Sequence, residues 1–292
     1  MDAFIEYLKN TKNKAENTLV AYRRDLKAFE VFLEGRGGKS LNDCKESDAA
    51  AYILELNNES KSKATINRKI SSLRAFYDYK IDEGERENNP FQKIKSAKND
   101  KRQIEFLTVE EVNQMLSLPD DSAKGIRDKA LLEFMYGTGA RVTELVRLRF
   151  SDMNLRMNFV TLKDNDGESR IVPIGSYAHA AMKKYMDEAY EEIKGEPREE
   201  DDYIFINFRG QALTRQGIWK ILKEYGKEMD IEERMTPQIL RNSFAVHILQ
   251  NGGDLKTLQE LMGFEDMSVG IAYLAVLNVR IRDVYQRTHP RA

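Results

Sequence analysis

The 292-residue chain contains one cysteine, three histidines and no long apolar run. Cys44, standing alone, cannot close an internal disulfide. His179, His247 and His289 are far apart in sequence, and no cysteine/histidine cluster with zinc spacing accompanies them, so no metal site is expected. The segment MDAFIEYLKN carries charges where a signal peptide needs apolar residues, and nothing approaches the length that spans a bilayer. The expected location is therefore the cytoplasm, without a membrane partner.

What the chain has in quantity is charge. Charged residues make up 32% and apolar residues 41%, the balance of an ordinary globular protein, and the length favours two domains over one. A net charge of −2 argues at first against a polyanionic partner. The average misleads, because residues 187–202 (DEAYEEIKGEPREEDD) hold nine acidic and two basic side chains, as a solvated loop would. The rest of the chain has 44 basic against 39 acidic groups and can present a basic face.

Residues 1–95 read as helices. In NTLVAYRRDLKAFEVFLEGRG, Leu19, Tyr22, Leu26, Phe29 and Phe32 recur at three- and four-residue spacing, and Gly35 with Gly37 ends the pattern. A second helix, KSKATINRKISSLRAFYDYKIDEG, has Ile66, Ile70, Leu73 and Phe76 on its apolar stripe. Opposite the stripes lie Tyr22, Arg23 and Arg24, then Lys63, Asn67, Arg68, Lys69 and Arg74, two faces suited to phosphates. Either face alone could equally be merely solvated. Residues 96–106 lose periodicity and read as a basic linker. From 107 to 292 the pattern is again mainly helical, beginning with a capping box of Thr108 and Glu111. Within it RMNFVTLKDNDGESRIVPIG predicts two short strands around a polar turn, and DYIFIN a third. DNDGES has its glycine misplaced for a calcium loop, and YGTGA follows no strand, so neither predicts a ligand.

Four residues of the second part carry chemical interest: Arg141, opening ARVTELVRL; Lys163, ending a strand; Arg241, one turn into the helix TPQILRNSFAVHILQNGG; and Tyr273, in VGIAYLAV. Singly they are ordinary. Arg141 can pair with Glu144 and Tyr273 can be a core residue. Taken in order, GTGARVTELVRLRFSDMN, the lysine-bearing hairpin ending RIVPIG, TPQILRNSFAVHILQNGGDLKTLQELMG, and a tyrosine nine residues after Phe264 resemble the tyrosine recombinases, or phage-type integrases, and within them the Xer group. NTLVAYRRDL and TINRKISSLRAFYDY resemble that family's core-binding domain, so the likeness covers nearly the whole chain.

The resemblance implies an amino-terminal helical, SAM-like domain and a mainly α catalytic domain with a small sheet, together forming a C-shaped clamp on double-stranded DNA. It implies Tyr273 as nucleophile, forming a 3′-phosphotyrosine bond without metal, ATP or other cofactor, with Arg141 and Arg241 holding the phosphate and Lys163 as general acid. It implies a homotetramer on DNA, or a heterotetramer with a paralogue, joined through the carboxy-terminal segment NVRIRDVYQRTHPRA. Asn67, Arg68 and Arg215 are candidate base readers that could equally contact phosphate. The chain departs from the family at Gln238 and Phe264, where histidine, and histidine or tryptophan, are usual; histidine is also frequent in place of Asn242. Glutamine can donate a hydrogen bond but cannot transfer a proton, and phenylalanine does neither. Two readings follow: a recombinase of reduced activity, or a recombinase-derived DNA-binding or architectural protein.

Overall fold

The computed structural model describes residues 1–97, 104–164, 167–195 and 202–288, with the backbone alone at 277–285 and 288. The chain divides into two units, Met1–Arg102 and Gln103–Ala292. Most of the basic linker, residues 98–103, lies outside the described residues, as does His289.

In the first unit four helices, α1 (Asp2–Asn10), α2 (Glu16–Gly35), α3 (Glu46–Asn58) and α4 (Lys63–Asp82), enclose an aromatic core. The predicted stripes supply it: Leu26, Phe29 and Leu73 are wholly buried, and Phe4, Phe76 and Phe91 close around them. Edge-to-face pairs such as Phe4–Phe76, 5.4 Å between centroids, each contribute about 0.5–1.5 kcal/mol beyond burial. Ser62 caps α4 by accepting the Thr65 amide hydrogen bond.

The outer face of these helices is less free than the sequence pattern suggests. Tyr22 packs its ring on Phe4 as part of the core margin, and Arg74 turns inward to donate to the carbonyls of Phe91 and Ile94. Both placements have one cause: on a helix packed against neighbours on two sides, the solvated arc is narrower than the polar arc. Asn67 closes a two-bond clasp with the backbone of Ala97. Arg68 and Lys69 converge on the fully buried Asp25, which also accepts from Ser72 at 2.8 Å. Arg23 pairs with Asp2 at 3.2 Å, and Arg24 is exposed.

The second unit is a helical domain with one small sheet. Helices α5 (Val109–Ser117) and α6 (Ala123–Thr138) lead to a single-turn α7 (Val142–Leu145), so Arg141 caps a much shorter helix than its sequence suggested. Antiparallel strands β1 (Met153–Asn154), β2 (Phe159–Lys163) and β3 (Ser169–Pro173) follow, with Val160 opposite Val172 and Lys163 opposite Ser169. The third strand is thus Met153–Asn154, not DYIFIN. Ile204, Phe205 and Ile206 are all buried, without the alternation of a one-sided strand, and this segment makes only isolated bridges. Helices α8 (Ser176–Lys184) and α9 (Tyr190–Lys194) precede α10 (Arg215–Glu228), α11 (Pro237–Gln250), α12 (Leu255–Met262) and α13 (Met267–Thr288). The predicted capping box at Thr108 and Glu111 is formed, and Thr236 caps α11 with Pro237 in its first turn.

Candidate active site

Three arginines meet at the carboxyl end of α12. The last turn of any helix leaves carbonyls without backbone partners, and their partial negative charge attracts cations. Here each of three successive carbonyls takes one guanidinium: Leu261 from Arg170 at 2.7 Å, Met262 from Arg241 at 2.5 Å, and Gly263 from Arg141 at 2.6 Å. Gly263 ends the helix in the left-handed conformation, φ +60°, and a Cβ there would sit 3.0 Å from the Arg170 side chain.

Glu144 neutralises much of this charge. Its carboxylate is fully buried and accepts two hydrogen bonds from Arg170, at 2.6 and 2.9 Å, together with the backbone N–H and Nη1 of Arg141. Burial alone would raise its pKa; the Arg170 bonds and charge, with those of Arg141, more than offset that and hold it below the ordinary glutamate value. Arg241, 7% exposed, also donates to the Gly139 carbonyl. Gly139 caps α6 at φ +61°, with the Phe244 ring 2.5 Å from where a Cβ would lie, so YGTGA is a packed helix terminus that delivers Arg141. Burial first, and the Arg141 charge second, push Arg241 down to about 10, so it remains cationic at neutral pH.

These groups line a cleft of ≈ 740 Å³ shared by Arg141, Arg170, Gln238, Arg241, Phe264 and Tyr273. Five of the six candidate catalytic residues are therefore brought together. Lys163 does not line the cleft: its side chain, 59% exposed, ends at Asp152, 2.5 Å away. Residues 165 and 166 of its hairpin lie outside the described residues.

Tyr273 is 5% exposed and stacks on Phe264, centroids 6.4 Å apart. Phe264 thus walls the phenol in instead of offering a polar group. The Tyr273 hydroxyl donates to Asn242 Oδ1 at 3.0 Å, and Gln238 Nε2 donates to the same oxygen at 2.8 Å. Burial raises the tyrosine pKa above its ordinary value, with Arg241 pulling the other way. His247 stays apart, buried and bonded to the Tyr136 hydroxyl at 2.9 Å. Sequence reasoning did not select Arg170, whose only signal was its place in the RIVPIG motif, or the contact of Asn242 with Tyr273.

A cleft lined by arginines with a tyrosine at its wall, in a mainly helical domain that follows a separate helical unit, fits a class of DNA strand transferases. The chain belongs to the phage integrase family: residues 105–279 match the Phage integrase family and residues 1–84 the Phage integrase N-terminal SAM-like domain. It is 38% identical over 294 residues to tyrosine recombinase XerD of Listeria monocytogenes serotype 4b, covering 100% of this chain and 99% of that protein. A putative tyrosine recombinase of Caldanaerobacter subterraneus is 40% identical over 293 residues, covering 99% and 97%. Among solved structures, XerH recombinase bound to a palindromic difH substrate superposes with a TM-score of 0.76 at 20% identity, over 96% of this chain and 82% of that one. The Tn1549 transposon integrase with circular-intermediate DNA gives 0.76 at 19%, over 92% and 93%. Among the described residues no helix is long and apolar enough to cross a membrane.

Proposed function

We infer that the cleft is the cleavage site of a Xer-like site-specific recombinase, with DNA as its partner. The observation that carries this is the convergence of Arg141, Arg241 and Tyr273 on one cleft from three helices distant in sequence. Tyr273 Oη, as the phenolate left when its proton passes to solvent, attacks a backbone phosphorus; the new O–P bond forms as the bond to the 5′-oxygen breaks, leaving a 3′-phosphotyrosine. Arg141 and Arg241 hold the non-bridging oxygens, whose charge grows in the transition state. The departing 5′-oxygen takes a proton from Lys163. That lysine must first leave Asp152, whose buried carboxylate also accepts from the Arg149 N–H and so keeps a partner when the lysine departs. In the joining step the partner strand's 5′-hydroxyl attacks the phosphotyrosine and releases Tyr273.

Double-stranded DNA is gripped by the exposed cations of the first unit, Arg23, Arg24 and Lys63, and by Arg215 at the start of α10. The assembly on DNA is a tetramer, of this chain alone or with a paralogue, joined through the segment after Val279. Gln238 and Phe264 leave the site without the proton donors usual there, so its rate is reduced. A duplex nicked beside the scissile phosphate tests the reading. A protease-sensitive covalent band on a denaturing gel is expected; normal binding with no band, regained after Gln238→His and Phe264→His, would establish a DNA-binding protein instead.

The pH profile follows from the phenol. Its pKa lies above the ordinary value of about 10, and no side chain bonded to it can take its proton. The active phenolate fraction, and with it the single-turnover rate of covalent complex formation, should rise about tenfold per unit between pH 7 and 9. Arg241 stays charged over most of that range. A flat profile would mean that another group removes the proton.

A further inference from the structure

Asn242 sits between two side chains of the cleft and the backbone at its edge. Its Oδ1 accepts from Tyr273 at 3.0 Å and from Gln238 Nε2 at 2.8 Å, while its Nδ2 donates to the Glu105 carbonyl at 2.9 Å. Turning the amide over would set donor against donor at Gln238 and oxygen against oxygen at Glu105, so the network admits one orientation. The next residue repeats the fastening, with the Leu107 N–H donating to Ser243 Oγ at 2.8 Å. Asn242 is also the immediate neighbour of Arg241 on α11.

We propose that Asn242 is the positioning residue of Tyr273: it fixes the phenolic oxygen relative to Arg241 through a fork anchored on the backbone of residue 105. This rests on the reading of Tyr273 as nucleophile. Arg241 holds the phosphate from α11, and Tyr273 comes from α13, a different helix. A side chain on α11 that holds the tyrosine hydroxyl sets the distance between attacking oxygen and phosphorus, the quantity to which a displacement reaction is most sensitive; a misplacement of about 1 Å can cost about 10²-fold. Gln238 is the second prong of the fork. Its amide proton is committed to Asn242 in the DNA-free protein, so positions 238 and 242 form one unit.

The test uses the full chain with 3-fluorotyrosine placed at position 273, and compares Asn242→Ala and Asn242→Leu with the parent. Leucine matches asparagine in shape without its hydrogen bonds, so it separates holding from filling. The 19F resonance reads the phenol's surroundings without DNA, and covalent trapping on a nicked duplex at saturating concentration reads the rate. Expected are a moved 19F line in both variants, trapping slowed by about 10- to 10²-fold in both, and unchanged DNA affinity. A leucine variant with the parent's 19F line and trapping rate would overturn the proposal. If the parent itself traps nothing, the nucleophile reading falls, while the 19F comparison still decides whether Asn242 holds this hydroxyl. Should both variants unfold, Gln238→Leu replaces them: loss of the second donor should move the same 19F line, and an unmoved line would count against the fork.

Discussion

Replacing Tyr273 by phenylalanine should abolish the covalent protein–DNA band while leaving DNA binding within about twofold. The substitution removes one oxygen. Among the described residues that oxygen bonds only Asn242, which keeps Gln238 and Glu105 as partners when the hydroxyl goes, so the network closes over the loss. The ring still stacks on Phe264 and still fills its place in the α11–α13 core. Stability should change by no more than about 1 kcal/mol, the net contribution of one hydrogen bond. The expected contrast is therefore sharp: all chemistry lost, fold and binding kept. A mobility-shift titration beside a denaturing gel reads both, and residual covalent product in the phenylalanine variant would show that a different residue attacks.

Glu144→Gln should have the second-largest effect, and on stability as well as on rate. The side chain is fully buried between Arg141 and Arg170, and Arg170 is itself 12% exposed on its side chain. Removing the carboxylate charge leaves buried guanidinium charge uncompensated beside Arg241, which typically costs about 3–5 kcal/mol. The pH dependence has a definite sign. The folded-state pKa of Glu144 is held below its unfolded value of about 4.3, so its contribution is fully present above that pH and is lost as pH falls through the folded value. Parent and variant should therefore differ most near pH 7 and begin to converge only as pH falls below about 4.3. Urea unfolding at the two pH values measures this; equal stability at pH 7 would mean that the arginines find partners elsewhere.

Much of this was legible before any coordinates. The stripes of α2 and α4 run unbroken for several turns, and a long period-3.6 signal survives tertiary context. The order of Arg141, Lys163, Arg241 and Tyr273 carried the family likeness. What stayed hidden depends on contacts between residues remote in sequence. Nothing local marks Arg74 as a ligand of the Phe91 and Ile94 carbonyls, because an arginine on a polar arc looks the same whether it meets water or backbone. Ile204–Ile206 looks like a strand by composition, but among the described residues it makes only isolated bridges. Asn242 was visible as a departure from the family but not as the group that meets Tyr273, since the two are brought together by the packing of α11 on α13.

Helix α13 runs unbroken from Met267 to Thr288, with Tyr273 in its second turn. At about 1.5 Å per residue, the span beyond Tyr273 is roughly 22 Å of rod, and its first turns pack on Phe264, α11 and α12. Such an element is a lever with its fulcrum beside the phenol. A sideways displacement of a few ångströms at the far end becomes a shift of well under 1 Å at the hydroxyl, the scale on which attack geometry is won or lost. In the proposed tetramer, a neighbour holding the end of this rod would also shift the Tyr273 hydroxyl.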